Sequence, residues 1–262
     1  MNKLMHITAE AGTWGKAQQL DVSAVLKSAV IQLWQHCPNT SLNPIIVRYR
    51  LGNPLAGFAR DEWARIQVWL SATDTFWSQY AYQMAHEFGH ILAIHSNENA
   101  NHWHELKHAN HWLEECFCET ASLFALMSMA NEWQSAAPYP TWTSYASALA
   151  SYAQNVIYEG HVHLPPNESL PEWLKANEPI LRTNSLAGNT DANRPANKIV
   201  AARLLPAFQT NPAGWEALTF LNLVSRDTNK TLREQLIEWR SLCGPNLQSF
   251  VSCVGTVLGI NI

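Results

Sequence analysis

The residues best suited to chemistry are His86, Glu87 and His90, which stand in the pentapeptide His-Glu-Phe-Gly-His. On a helix, residues four apart are separated by about 40° of rotation and one turn of rise, so both imidazoles would face one point. This suits a tetrahedral zinc ion, with Glu87 on the adjacent flank to exchange protons with a zinc-activated water. Apolar residues at 77, 84, 88 and 91 lie on the opposite side. The pattern predicts a helix that buries its back and turns a metal site to a cleft.

The third ligand separates the classes of such sites. One class continues with Gly and then His six residues beyond the second ligand, but Ala93 and Ser96 stand there, which excludes that class. Another class takes a Glu from a following helix, and the next helical pattern offers Glu114, Glu115 and Glu119. The last two are one turn apart on one face, so one can bind the metal while the other accepts a proton from a ligating imidazole.

Residues 112–118, Trp-Leu-Glu-Glu-Cys-Phe-Cys, look like the Trp-Leu-Asn-Glu-Gly-Phe-Ala stretch of aminopeptidases within the gluzincin metallopeptidases. Together with the first motif and the strand before it, residues 65–130 resemble this family. The resemblance implies zinc ligands at His86, His90 and Glu115, a catalytic base at Glu87, and Glu119 in the place behind the ligands where relatives often have Asp.

Two features depart from the family pattern. The interval between His90 and Glu115 is a few residues longer than the commonest spacing, and an Asn-rich loop can absorb the difference. The Gly-x-Met-Glu-Asn segment with which aminopeptidases grip a substrate amino terminus is missing before the motif. Aminopeptidase specificity is therefore unsupported, and endopeptidase action or a narrow substrate range is equally open.

A rival motif, His104-Glu105-Leu106-Lys107-His108, follows closely. Glu114 stands where a compact third ligand would lie, although His111 occupies a place where Gly is wanted. Asn and charged residues flank this motif, whereas a buried ligand helix needs apolar neighbours. The rival motif is better interpreted as a polar rim, an accessory metal site or a solvated turn. Three further histidines share that interpretation: His95, His102 and His111.

Peptide hydrolysis also needs a donor for the oxyanion of the tetrahedral intermediate. Candidate donors are Tyr152, Tyr158, His161 and His163, among which periodicity cannot choose. The strand predicted over residues 65–72 is a candidate cleft edge to which an extended peptide could add.

The elements that must position these residues follow from periodicity and from helix and strand stop signals. Strands are predicted over residues 44–51 and 65–72, with a turn around residues 52–54. Helices are predicted over residues 20–36, 75–94, 111–133, 141–159, 171–181, 195–208, 212–224, 228–243 and 245–258, with Gly160 as a cap and 96–101 as a loop.

Composition narrows the class of protein. A formal net charge of -4 gives no basic field for nucleic acid, and no uninterrupted apolar run is long enough to predict a membrane span. The start of the chain has no secretory signal, which favours the cytoplasm unless a signal peptide has been removed. The five cysteines are expected to be buried thiols, and those at 116 and 118 should point in different directions.

These observations predict an α+β protein with a zincin-like lobe over residues 1–163, carrying a small sheet and the motif helix, followed by a mostly helical lobe over residues 164–262. The expected function is a zinc-dependent metallopeptidase with one Zn²⁺ per chain and a peptide or protein substrate. Two alternatives stay open: a zinc-binding regulatory or interaction protein that keeps this fold without hydrolysis, and a helical scaffold without metal.

Overall fold

The computed structural model describes residues 5–95, 108–225 and 227–262 of the chain. Within these ranges the fold is largely helical with one small mixed sheet, which is compatible with the predicted α+β class. The strands are β1 (Ile7–Ala9), β2 (Ile45–Tyr49), β3 (Leu55–Arg60) and β4 (Ile66–Leu70). The helices are α1 (Gln19–Trp34), α2 (Trp77–His95), α3 (His111–Ala136), α4 (Ala146–Val162), α5 (Leu170–Ala187), α6 (Arg194–Thr210), α7 (Gly214–Ala217), α8 (Leu232–Leu242) and α9 (Pro245–Val257). Short 3₁₀ helices cover Pro140–Tyr145, Thr190–Asn193 and Leu218–Leu223. The loop predicted over residues 96–101 lies outside the described residues.

The sheet has the strand order β1-β2-β4-β3, with β1, β2 and β4 parallel and β3 antiparallel to β4. Both predicted strands are confirmed as β2 and β4, whose Ile and Val residues suit a buried pleated surface. The sequence missed β1 and β3. It was also wrong about the edge, because β4 lies inside the sheet and β3 forms the border next to the cleft.

Helices α2 and α3 form the centre of the molecule. The apolar face of α2, with Trp77, Met84, Phe88 and Ile91, is buried as predicted, and the helix packs against α1, α3, β3 and β4. Helix α3 is buried along most of its length because α1, α2, α4 and α6 all pack against it. Buried carboxylates on such a helix need partners, which they find in the site described below.

The two central helices cross closely at Gly89. A Cβ atom at this position would lie 2.9 Å from the Sγ atom and 3.0 Å from the Cα atom of Cys118, closer than packed atoms normally approach. Glycine therefore allows the backbones of α2 and α3 to come together between His86 and His90 on one helix and Glu115 on the other.

The helices after α3 differ from prediction in their details. The predicted helix over 141–159 divides into a 3₁₀ turn and α4, which continues through Gly160 to Val162. Gly160 is not a cap: a Cβ there would lie 2.4 Å from the Lys198 carbonyl oxygen, so its small size lets α4 pack on α6. The apolar core continues across residue 163, from β1 to Leu258. The division into lobes at 1–163 and 164–262 stays a prediction.

Four of the five cysteines are buried, as expected, but Cys253 is exposed. Cys116 and Cys118 do point apart: the Cys116 thiol lies 3.6 Å from Asn197 Oδ1, whereas Cys118 contacts His90. No helix in the described part of the chain is long and apolar enough to cross a membrane.

Candidate metal centre

The face of α2 that is turned away from the core presents His86 and His90 side by side. Their ring centroids are 5.2 Å apart, and each side chain is mostly buried, with 22% and 15% exposed. The one-turn spacing predicted from the sequence therefore does bring both imidazoles to the same place, at the wall of a cleft.

Helix α3 places the Glu115 carboxylate between these rings. One carboxylate oxygen lies 3.4 Å from His86 Nε2 and the other lies 3.8 Å from His90 Nε2. Burial would raise the pKa of Glu115, but the neighbouring imidazoles outweigh burial and hold this pKa well below its usual value. Burial would likewise lower the pKa of His86, but the hydrogen bond and charge of Glu115 raise it. The ionised carboxylate of Glu115 thus lies between two ring nitrogens. A small cation bound to all three groups would draw these ligand atoms closer together.

Glu114 contacts His90 on its Nδ1 side, opposite to the Nε2 atom that faces Glu115. Its Oε1 atom lies 2.7 Å from His90 Nδ1, and since an ionised carboxylate can only accept, the Nδ1–H group donates. The other oxygen accepts a hydrogen bond from Asn222 Nδ2 at 2.9 Å. Burial would raise the pKa of Glu114, but the hydrogen bond from His90 and the nearby charges lower it to about 2. With Nδ1 engaged, the Nε2 atom of a neutral His90 is left to bind a metal.

Glu119 lies one turn further along α3, on the His86 side. Its Oε2 atom is 3.8 Å from His86 Nδ1, within ion-pair range but beyond a hydrogen bond, and both carboxylate oxygens lie 2.6 Å from the Tyr82 hydroxyl, which donates. Glu119 is therefore on the side of His86 that the predicted supporting role requires. That role stays a prediction, and the sequence missed both Tyr82 and the parallel support of His90 by Glu114.

Glu87 lies beside the two histidines and is buried, with 4% of its surface exposed. Burial is the main cause of a pKa raised above the usual value, opposed by the charges of His86 and His90 and by a hydrogen bond from the Ala56 backbone N–H of β3. A buried carboxylate with a raised pKa is suited to holding and releasing a proton.

Cys118 is a second candidate for the third ligand. One ligand atom from each of His86, His90 and Cys118 lies within 4.8 Å of the others. Burial raises the pKa of the Cys118 thiol to about 12, even though His90 acts in the opposite direction. The thiol would have to lose its proton to bind a metal, whereas Glu115 is already ionised. Glu115 as the third ligand therefore stays a prediction, and the sequence did not predict that Cys118 would face the histidines.

The site opens into a cleft of about 870 Å³. One wall is formed by residues that lead into and begin β3, from Asn53 to Ala56, and the other by α4 and the start of α6. Asn53 Nδ2 donates to Asp191 at 3.2 Å, which joins the two walls at one point. Of the four candidate oxyanion donors, Tyr152 and His163 line the cleft, whereas Tyr158 is 67% exposed and does not. His161, the fourth, is also exposed and outside the lining.

No protein-family model, curated protein or solved structure matches this chain. Among the described residues, two groups have ligand atoms close enough to hold a metal ion, His86/His90/Cys118 and His108/His111/Glu114, and no likeness to a characterised protein supports a gluzincin assignment.

The rival motif lies partly outside the described residues, which do not include His104 or Glu105. Its last residue, His108, is described and is buried, and burial lowers its pKa to about 4. It belongs to the second group, with His111 and Glu114, whose ligand atoms lie within 4.8 Å of one another. His111 also approaches the first site, since its Nε2 atom lies 3.4 Å from Glu115 Oε1. His102 lies outside the described residues as well, as does the side chain of His95.

Proposed function

We propose that this chain is a zinc-dependent metallopeptidase of gluzincin type, in which His86, His90 and Glu115 hold the metal. The observation that carries the proposal is the ionised carboxylate of Glu115, which lies 3.4 Å and 3.8 Å from the two Nε2 atoms at the wall of a large cleft. Two imidazole nitrogens and a carboxylate are a donor set that zinc accepts in hydrolytic enzymes.

The surroundings fit a zinc ion as well as the donors do. Each histidine presents Nε2 to Glu115 and has a further carboxylate on its Nδ1 side, Glu114 for His90 and Glu119 for His86. A carboxylate that is hydrogen-bonded to Nδ1, as Glu114 is, fixes the tautomer and orientation of a ligating imidazole. When bound, zinc would lower the pKa of a coordinated water and polarise a substrate carbonyl.

Glu87 is the proposed general base. It is close enough to both histidines to feel their charges, lines the cleft, and is held by the Ala56 N–H group from β3. Its raised pKa favours taking a proton from water and passing it to the leaving amine. Tyr152, which lines the cleft next to Tyr82 at a ring distance of 5.5 Å, is the better placed oxyanion donor among the four predicted candidates.

The proposed substrate is an extended peptide. Strand β3 is the sheet edge on the cleft side, and its first residues, Leu55 and Ala56, line the cleft. A peptide that adds to this edge would pass the metal centre with its backbone hydrogen-bonded to β3. We also propose that residues 1–163 form a zincin-like lobe, because they contain both this sheet edge and helix α2 with the metal-binding motif.

A fluorogenic peptide library, assayed with the full-length protein before and after metal removal and zinc restoration, tests the proposal. Cleavage should disappear with chelation and return with zinc. In the Glu87→Gln variant it should be about 10²- to 10⁴-fold slower, although this variant should bind zinc as the wild type does. The control is Glu159→Gln, which changes a cleft carboxylate on α4 that is not part of the metal centre and should retain activity. Cleavage at the wild-type rate both after chelation and in Glu87→Gln would contradict the proposal.

One observation favours the alternative of a non-catalytic zinc protein. His111 Nε2 lies 3.4 Å from Glu115 Oε1, so His111 could supply a fourth protein ligand. A zinc site closed by four protein ligands is structural, whereas a catalytic site keeps one position for water. The two functions differ in the coordination of a bound Co²⁺ probe: three histidines would bind it in the closed site, and two in the open site with water.

A further inference from the structure

We propose that His108, His111 and Glu114 form a second divalent-cation site at the beginning of α3, separate from the site held by His86, His90 and Glu115. One ligand atom from each of the three residues lies within 4.8 Å of the others. Two imidazoles and one carboxylate favour zinc or a similar transition metal over calcium or magnesium, which prefer oxygen ligands.

The backbone that carries these residues is fixed on several sides. The N–H group of Ala109 donates to the Thr228 carbonyl at 2.8 Å, and Asn110 Nδ2 donates to the Lys230 carbonyl at 2.8 Å. Arg182 donates to Asn110 Oδ1 at 2.7 Å, which ties α5 to the same segment. These contacts hold the residues just before α3 in place, so the three side chains meet without a cation to organise them.

Burial and access both suit an ion. His108 and Glu114 are almost fully buried, with 3% and 4% of their surface exposed, whereas the His111 side chain is 29% exposed and lines the main cleft. A cation could therefore reach the group from the cleft along His111. Ligands that are otherwise shielded from water bind more tightly than an exposed surface cluster.

Asn222 supplies an independent sign that a ligand belongs here. It is buried, with 3% exposed, and its Nδ2 atom donates to Glu114 Oε2 at 2.9 Å. Its Oδ1 atom is also buried but finds no hydrogen-bond donor among the described residues. A buried acceptor without a partner is costly, and a cation next to Glu114, or a water on that cation, would satisfy it.

The two sites would share Glu114 and compete for His111. Glu114 Oε1 stays with His90 Nδ1, while Oε2 faces His111 Nδ1 at 3.7 Å. A cation on His111 and Oε2 would hold His111 away from Glu115 and leave the first ion a position for water. This link between the sites rests on the proposed function, but the second site itself does not.

Counting bound metal tests the proposal. The full-length protein, stripped with chelator and then dialysed against Zn²⁺ alone, should carry two ions per chain by elemental analysis. His108→Ala and the near-isosteric His108→Gln should each carry one, as should His86→Ala. His161→Ala, which changes an exposed histidine outside both sites, should keep two. Circular dichroism of each stripped variant shows whether it is folded, and His108→Gln guards against misfolding of His108→Ala.

The outcomes separate the two sites. One ion in the wild type that is lost in His86→Ala and kept in both His108 variants overturns the second site and leaves the proposed function standing. One ion that is lost in the His108 variants and kept in His86→Ala supports the second site and removes the peptidase centre. Two ions that persist in both His108 variants also overturn the second site, because the additional ion must then lie elsewhere.

Discussion

Replacing Glu114 by Gln is the most informative perturbation of the first metal site. In the wild type, His90 Nδ1 lies 2.7 Å from the Glu114 carboxylate. Gln keeps an oxygen that can accept this hydrogen bond but removes the negative charge that makes the imidazole a stronger metal ligand. The new amide would face Asn222 Nδ2, but Asn222 can rotate its amide because its Oδ1 atom has no hydrogen bond to lose within the described structure. The substitution should therefore change charge without disturbing packing.

Loss of such a supporting carboxylate typically weakens metal binding by about 10- to 100-fold, and a retained acceptor places Gln near the lower figure. We expect about a tenfold loss of zinc affinity, or about 1.4 kcal/mol, for Glu114→Gln, and about 100-fold, or about 2.7 kcal/mol, for Glu114→Ala. Both would be measured by competition with a chromogenic chelator in a His108→Ala background, so that only the first site is titrated.

The matched control is Glu119→Gln, because Glu119 lies 3.8 Å from His86 Nδ1 rather than at hydrogen-bond distance. It should weaken zinc binding less than Glu114→Gln does. Unchanged affinity in both Glu114 variants, together with a tenfold loss in Glu119→Gln, would refute the assignment of Glu114 as the main support.

Three further outcomes are expected. Glu87→Gln should lower kcat by about 10²- to 10⁴-fold with zinc still bound, and a kcat close to that of the wild type would take Glu87 out of the mechanism. Gly89→Ala places a Cβ 2.9 Å from Cys118 Sγ, and this overpacking should cost about 1–3 kcal/mol, offset by about 1 kcal/mol gained in helix propensity. The variant should therefore be less stable in urea and bind zinc more weakly. An unchanged zinc affinity would contradict the close crossing of α2 and α3. Burial would raise the pKa of Glu238, but the ammonium of the buried Lys230 lowers it. The pair therefore stabilises the fold fully above the usual pKa of 4.5, and this stabilisation is lost as the pH falls through the lower pKa that Glu238 has in the folded protein. Glu238→Gln should cost about 1–3 kcal/mol at neutral pH and flatten the acid side of the stability curve, and an unchanged acid limb would contradict the pairing.

The parts of the fold that follow a simple period could be predicted. Helix α2 was predicted over 75–94 and is observed over Trp77–His95, because its apolar face and the spacing of His86 and His90 follow the helical repeat. Boundaries were less accurate where a cap decides them. Helix α8 was predicted from residue 228 but begins after Thr231, whose side chain and that of Glu234 form a reciprocal capping box.

Strand β3 shows why other elements could not be predicted. Residues 55–60 include Gly57 and Arg60 and lack the β-branched residues that mark β2 and β4. The segment is a strand because it pairs with β4, and Gly57 leaves room for the Trp69 ring, which a Cβ would approach to 2.7 Å. That reason lies in a partner strand and not in the local sequence.

The metal centre could be predicted as far as it depends on spacing along a single helix. Spacing along one helix indicates that Glu115 and Glu119 share a face, but which carboxylate meets which imidazole depends on how α2 and α3 cross. Glu114 supports His90 only because the crossing turns it that way, and Asn222 reaches it from 108 positions further along the chain. Tyr82 stands one turn before His86, and this spacing could have indicated its place beside the site.

An anomalous difference map from a crystal grown with Zn²⁺ and measured at the zinc edge tests the central claim most directly. The account predicts a peak about 2.0–2.2 Å from the Nε2 atoms of His86 and His90 and from a Glu115 oxygen. A peak that instead joins these histidines to Cys118 Sγ, or no peak beside them at all, would contradict it.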